Sequence, residues 1–283
     1  MPDVAILDSH VHLYDPRRVG YGWMRAVPKL DRPYLPADFH AHRKEVEVEG
    51  IVFVEVAADP GRHLEEAAWV EAQAACEPLL KAMVAHAPLE KGAAVEEDLA
   101  ALRRHPLLRG VRRLLQQEED PAFALRPGFI EGVRQLAAFD LSFDICVYHH
   151  QLPAAIELAR RCPEVRFVLD HIGKPAIREG LMEPWARHMR ELAGLANVSC
   201  KISGVITEAD HERWTPESIR PWVEHAIDCF GFERVMFGSD WTVALLTHDY
   251  PRWVAILDGF LEGASLLERR RFWRDNAVAF YRL

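Results

Sequence analysis

Along the chain, short apolar runs rich in β-branched residues alternate with longer stretches of mixed polarity. The runs are Val4–Asp8, Ile51–Val56, Ala82–Ala85, Gly110–Leu114, Ser142–Val147, Arg166–Leu169, Val198–Ile202 and Arg234–Phe237, and their starts lie 24 to 47 residues apart. Near-continuous apolarity suits strands covered on both faces, as in a parallel sheet. Between the runs the period changes. Leu64–Cys76 sets Leu64, Ala67, Ala68 and Ala75 at helical spacing, with Glu65, Glu66 and Glu71 between them. Gly128–Phe139, Leu152–Arg161, Pro184–Leu195, Pro216–Phe230 and Arg252–Phe260 read the same way, and Glu268–Tyr281 reads as a terminal helix.

Eight strands alternating with helices predict an α/β fold, a closed (β/α)8 TIM barrel, as one domain over residues 1–283. An open doubly wound sheet would carry a Gly-rich turn after its first strand, and Asp8-Ser-His-Val-His12 is not one. No linker, repeat or low-complexity tract divides the chain. Two connections, Leu13–Asp38 and Thr207–Pro216, are long enough to be binding loops or lids, and both follow strands.

Composition narrows the class. The chain is 49% hydrophobic and 27% charged, with a net charge of −9. It carries no basic stripe, so a nucleic-acid partner is not expected. Arg103-Arg104 and Arg269-Arg270-Arg271 read as solvated helix faces. Five scattered cysteines (Cys76, Cys146, Cys162, Cys200, Cys229) show no Cys-x-x-Cys spacing, which argues against a disulfide framework or structural zinc. Cys146 and Cys200 fall in apolar runs and are expected to be buried thiols. With neither a leader-like segment nor a membrane-length apolar run, the expected setting is cytoplasmic, without a membrane partner. A homo-oligomer is compatible with the sequence but not specified by it.

Barrel enzymes carry their chemistry at the C-terminal strand ends. There the sequence places His10 and His12, Glu55, His86, Arg112, Tyr148-His149-His150, His171, Ser203 and Asp240. Residues two apart on extended chain face the same way, so His10 and His12 can address one metal or one carbonyl. The alternative is a pair of hydrogen-bonded loop histidines. His171, in Asp170-His-Ile-Gly-Lys-Pro175, can complete a ligand set or orient a nucleophile, and Lys174 can bind an anionic or hydroxylated substrate. Asp240 suits a general base or a metal ligand. Only one of Arg112 and Arg113 can enter the mouth, and Arg112 there would fix a carboxylate or polarise a carbonyl. His63, His105, His188, His211 and His225 are expected on the surface.

Four motifs, Asp8-Ser-His-Val-His12, Asp170-His-Ile-Gly-Lys-Pro175, Phe237-Gly-Ser-Asp-Trp241 and Asp275-Asn-Ala-Val-Ala-Phe-Tyr281, resemble the amidohydrolase superfamily, and within it the amidohydrolase 2 branch of lactonases. That branch acts on sugar-acid lactones of fuconate, rhamnonate and galactonate type and on dicarboxylate lactones. Tyr21-Gly-Trp23 and Tyr34-Leu-Pro-Ala-Asp-Phe39 resemble the first loop of the sugar lactonases. The resemblance implies a small-molecule lactone substrate and metal or catalytic roles for His10, His12, His171 and Asp240. Glu55 is a further candidate ligand, and Trp23, Tyr148, His86, Lys174 and Arg112 are candidate substrate contacts. Arg112 stands where binuclear relatives carry a lysine, so one divalent ion, zinc first, is the expected cofactor; metal-independent activity stays open. In the expected reaction Asp240 deprotonates water and returns the proton to the ring oxygen, with activity falling below about pH 6 to 7 as imidazoles protonate. A metal-dependent decarboxylase and a non-catalytic sugar-acid binder are the competing readings.

Overall fold

The computed structural model describes residues 1–283. Eight strands form one parallel sheet in the order of the chain: β1 (Ile6–Val11), β2 (Val48–Val54), β3 (Leu80–Ala85), β4 (Leu108–Arg112), β5 (Ser142–Ile145), β6 (Phe167–Leu169), β7 (Val198–Ile202) and β8 (Val235–Phe237). The expected (β/α)8 barrel is the observed fold. Outside it stand α1 (Pro36–Arg43), α2 (His63–Ala74), α3 (Glu96–Leu102), α4 (Pro127–Ala138), α5 (Leu152–Arg161), α6 (Trp185–Ala193), α7 (Pro216–Phe230) and α8 (Tyr250–Phe260). Thr215 caps α7, its side chain accepting from the Ser218 N–H, and Pro216 fills the first turn, where a missing N–H costs nothing. No helix is long and apolar enough to cross a membrane.

The apolar residues separate into two cores. The larger lies between strands and helices, and holds Phe53, Phe143, Phe167 and Phe237 among others. The smaller fills the barrel with inward residues such as Leu7, Val52, Val84, Val168 and Met236. It is plugged from below by Ala277, Phe280 and Tyr281 of the terminal helix, which runs as α9 (Leu266–Arg270), a wider π turn (Arg271–Asp275) and α10 (Asn276–Tyr281). The barrel floor is therefore closed by the chain's own end, and access is from the opposite mouth.

Between β8 and β1 the barrel is joined by loop residues rather than by a strand ladder. Val11 bridges Trp241 in parallel, the Asp240 N–H donates to the His10 carbonyl (3.0 Å) and the His12 N–H to that of Trp241 (2.6 Å). Ser9 Oγ donates to Phe237 O at 2.6 Å, and the Ser239 N–H to Asp8 Oδ1 at 2.9 Å.

Three departures from the sequence reading have local causes. β1 begins two residues later than expected and runs through His10, because a bulge extends it. The step from Asp8 to Val11 faces the shorter step from Ile51 to Phe53. The long first connection is partly structured: a Tyr14–Tyr34 bridge closes it, and α1 starts at Pro36 inside the expected loop. His188 is 7% exposed rather than on the surface, since it lies on the inner side of α6. Cys146 and Cys200 are buried.

Candidate active site

The bulge in β1 re-aims the side chains that follow it. Leu7 points into the inner core, and strict alternation from Leu7 would turn His10 and His12 outward. The extra residue reverses that phase, and both imidazoles enter the mouth. Asp8 stabilises the bulge by accepting from the His10 N–H (3.1 Å) and the Ser239 N–H (2.9 Å).

Asp240 meets these histidines from across the seam. Its Oδ1 is 3.3 Å from His12 Nε2 and 3.8 Å from His10 Nε2. Burial opposes its charge, but His171, His12 and His10 together hold its carboxyl below the usual range, so it is ionised at neutral pH. His12 Nδ1 lies 2.8 Å from the Val54 carbonyl and must donate to it, which leaves the Nε2 lone pair facing Asp240 Oδ1. In the neutral ring two acceptors face one another there, and either a proton on Nε2 or a divalent ion between them satisfies both. His10, His12 and Asp240 thus fit a divalent ion, with the histidine Nδ1 partner in the backbone fixing the ring as metal ligands require.

His171 arrives on an unusual turn. Four successive residues, His171 to Lys174, are left-handed, with φ of 55, 49, 71 and 45°. Such a conformation is costly for β-branched Ile172 and is sustained by burial and by the Trp185 Nε1–H donating to the Ile172 carbonyl at 2.7 Å. The turn drives His171 into the mouth, where Nδ1 meets Ser203 Oγ at 2.9 Å, and leaves Lys174 at the pocket wall, paired with Glu208 at 2.9 Å. Gly204 lies against this ring: a Cβ there would come within 2.6 Å of His171 Nδ1 and 3.0 Å of Asp240 Oδ2.

Burial pushes the His171 imidazole down to about 4, and His10 well below its ordinary value, with Lys201 and His171 adding to the effect on His10. Both rings stay neutral at lower pH than the ordinary value of 6.5 would allow.

Arg112, at the end of β4, enters the mouth while Arg113 turns away to Glu90 and Glu118. Its Nε donates to Glu55 Oε1 (2.7 Å), and its Nη1 lies 3.3 Å from His10 Nε2 and 3.4 Å from Asp170 Oδ2. Glu55 is not brought into either three-ligand set of the mouth. Just past β2 its carboxylate is committed to Arg112 and to the Ala57 N–H at 2.6 Å; burial alone would raise it, and Arg112 with His86 keeps it low.

His12, His171, Arg112 and Asp240 line a cavity of about 210 Å³ with apolar walls that include Tyr14, Trp23, Leu30 and Leu246, and His10 lies buried behind them. Of the residues expected to touch substrate, Arg112, Lys174 and Trp23 line it. Tyr148 does not; it lines a neighbouring cavity that shares Lys174. His86 does not line the mouth cavity either; its ring lies 5.7 Å from that of His63.

The sequence reading passed over three charged residues. Lys201 and Asp144 are wholly buried on β7 and β5, 2.6 Å apart, and Asp170 Oδ1 is 3.0 Å from Lys201 Nζ. Burial disfavours the Lys201 ammonium, but Asp144 and Asp170 outweigh it and keep the side chain charged. A signal was present: Phe-Asp-Ile and Cys-Lys-Ile each set a charge between two outward apolar residues, the register of an inward side chain.

The family model described as amidohydrolase (Amidohydro_2) matches residues 7–283. An L-fucono-1,5-lactonase of Burkholderia multivorans is 35% identical over 289 residues, covering 98% of this chain and 96% of that protein. An L-rhamnono-gamma-lactonase of Scheffersomyces stipitis is 23% identical over the full length of both chains. A crystal structure of a Burkholderia multivorans amidohydrolase with bound zinc superposes with a TM-score of 0.89 at 33% identity, over 99% of this chain and 100% of that one.

Proposed function

The chain belongs to the amidohydrolase family, and from that premise we propose that it hydrolyses a sugar-acid lactone to the open hydroxy acid. The observation that carries the reading is the meeting of one ionised carboxylate, Asp240, with the His10–His12 pair, where Asp240 and His12 line the cavity of the barrel mouth. The similarity to an L-fucono-1,5-lactonase and an L-rhamnono-gamma-lactonase supports the substrate class.

In this reading Asp240 is the general base. It accepts a proton from water as the water adds to the lactone carbonyl, and it returns that proton to the ring oxygen as the C–O bond breaks. Arg112 and Lys174, both lining the cavity, supply positive charge for the carbonyl oxygen or for the carboxylate formed. Trp23, held by its Nε1–H to the Val56 carbonyl at 2.9 Å, offers a flat apolar wall to the sugar ring. His10, His12 and Asp240 would hold one divalent ion, zinc by the example of the similar structure, and such an ion supplies Lewis acidity at the carbonyl.

A panel of five- and six-membered aldonolactones, followed by acid release with and without chelator and paired with elemental analysis, tests the proposal. Hydrolysis of at least one sugar lactone is expected, with kcat lowered at least about a hundredfold in Asp240→Asn. Near-native turnover by that variant, or no hydrolysis across the panel, overturns the assignment.

A further inference from the structure

The mouth contains two three-ligand sets that share His10. One is His10, His12 and Asp240; the other, deeper in the barrel, is His10, Asp170 and His171. Their surroundings differ in charge. The ion-pair partners of Asp240 are the two histidines alone. Asp170 instead lies between two permanent cations, Lys201 Nζ at 3.0 Å from Oδ1 and Arg112 Nη1 at 3.4 Å from Oδ2.

Lys201 is the unusual member. It occupies an inward position on β7, is fully buried, and lies 2.6 Å from Asp144 Oδ2, 3.0 Å from Asp170 Oδ1 and 3.3 Å from His10 Nδ1. The ammonium is itself held in place. Asp144 Oδ2 accepts from Lys201 Nζ at 2.6 Å and from the Tyr281 hydroxyl at 2.8 Å, so the terminal helix braces it from below. A divalent ion entering the deeper set would lie within a few ångströms of a lysine and an arginine, with little water to screen them.

We infer that Lys201 is the resident cation of the deeper set: its ammonium stands where a second divalent ion would bind, restricts this chain to the single site at His10, His12 and Asp240, and anchors Asp170 Oδ1, which lies 3.3 Å from His10 Nδ1 and accepts its N–H. The inference extends the metal clause of the proposed function and does not depend on which lactone is cleaved.

The test is metal stoichiometry, read without activity. Wild type, Lys201→Met and Lys201→Met/Asp144→Asn are stripped of metal and dialysed against excess Zn2+, and bound zinc per chain is measured. Co2+ loading, followed by visible absorption, gives a second count. The double variant removes the carboxylate that the single variant leaves unpaired, and so preserves a folded protein for the comparison. One more ion per chain in the folded variants than in wild type is expected, and adding Asp170→Asn should remove that extra ion. With one ion in wild type the increment supports the whole inference; with none it supports Lys201 as the resident cation and overturns both the single-site clause and the metal clause of the proposed function. Two ions in wild type, or equal counts in wild type and variants, overturn it.

Discussion

Gly204 contributes to the site by having no side chain. Its φ of 56° lies in the left-handed region, and any Cβ would strike His171 Nδ1 at 2.6 Å. Left-handed backbone costs alanine only about 1–2 kcal/mol, so Gly204→Ala should still fold. The ring must move, however, and with it the approach to Asp240. Expected are a small drop in Tm and a fall in kcat of at least about tenfold, read from thermal melts and steady-state kinetics on the same preparation. Glu66 carries a different expectation. Burial, and then the neighbouring Glu55 charge, push its carboxyl up to about 8, while its Oε1 accepts from the Val56 N–H at 3.1 Å. The folded chain keeps a proton that the unfolded chain has released above its ordinary value of 4.5, so the contribution is whole below that pH and is lost as pH rises through 8. The loss is on the order of 5 kcal/mol by pH 9. Glu66→Gln keeps the acceptor and never ionises. Its melting temperature should therefore fall less than that of wild type between pH 6 and 9, and parallel profiles would remove Glu66 from this role.

At the level of elements, the terminal helix is the one with the longest reach. Tyr281 fills the barrel floor and donates to Asp144, two steps from His10 through Lys201. Truncating a buried aromatic to alanine costs about 3–5 kcal/mol. Tyr281→Ala should lose that much in urea unfolding, whereas Tyr281→Phe should lose only the hydroxyl's share. The strands were the most legible part of the sequence, because a parallel strand buried on both faces must be apolar throughout, and all eight expected runs overlap observed strands. α1 and α3 were not anticipated: α1 opens inside a segment rich in Pro and Gly, and α3 has only seven residues. The β1 bulge was equally hidden, since it is a mismatch of register between two strands and leaves no mark on either one alone. His10, His12, His171, Asp240 and Arg112 were legible as strand-end residues and do converge. Lys201 and Asp144 lie one layer lower, where position within the strand rather than at its end gives them away. Glu55 shows the reverse case: a strand-end carboxylate satisfied by Arg112 before any ligand arrives.

Across the whole molecule, floor and mouth are secured by unlike means. The floor has a packed apolar plug, while the mouth depends on the few bonds that join His10 and His12 to Asp240 and Trp241. Urea should therefore abolish turnover at a lower concentration than it abolishes the fluorescence signal of the buried tryptophans; coincident midpoints would refute the difference. A zinc ion bound across His10, His12 and Asp240 would draw that gap narrower, since it ties the first strand to the residues beyond the last. The bulged first strand and the loop after β8 thus form a clasp whose two halves come from opposite ends of the polypeptide. The reacting groups are the hook and eye of that clasp, so this fold completes its circle and its chemistry in one act.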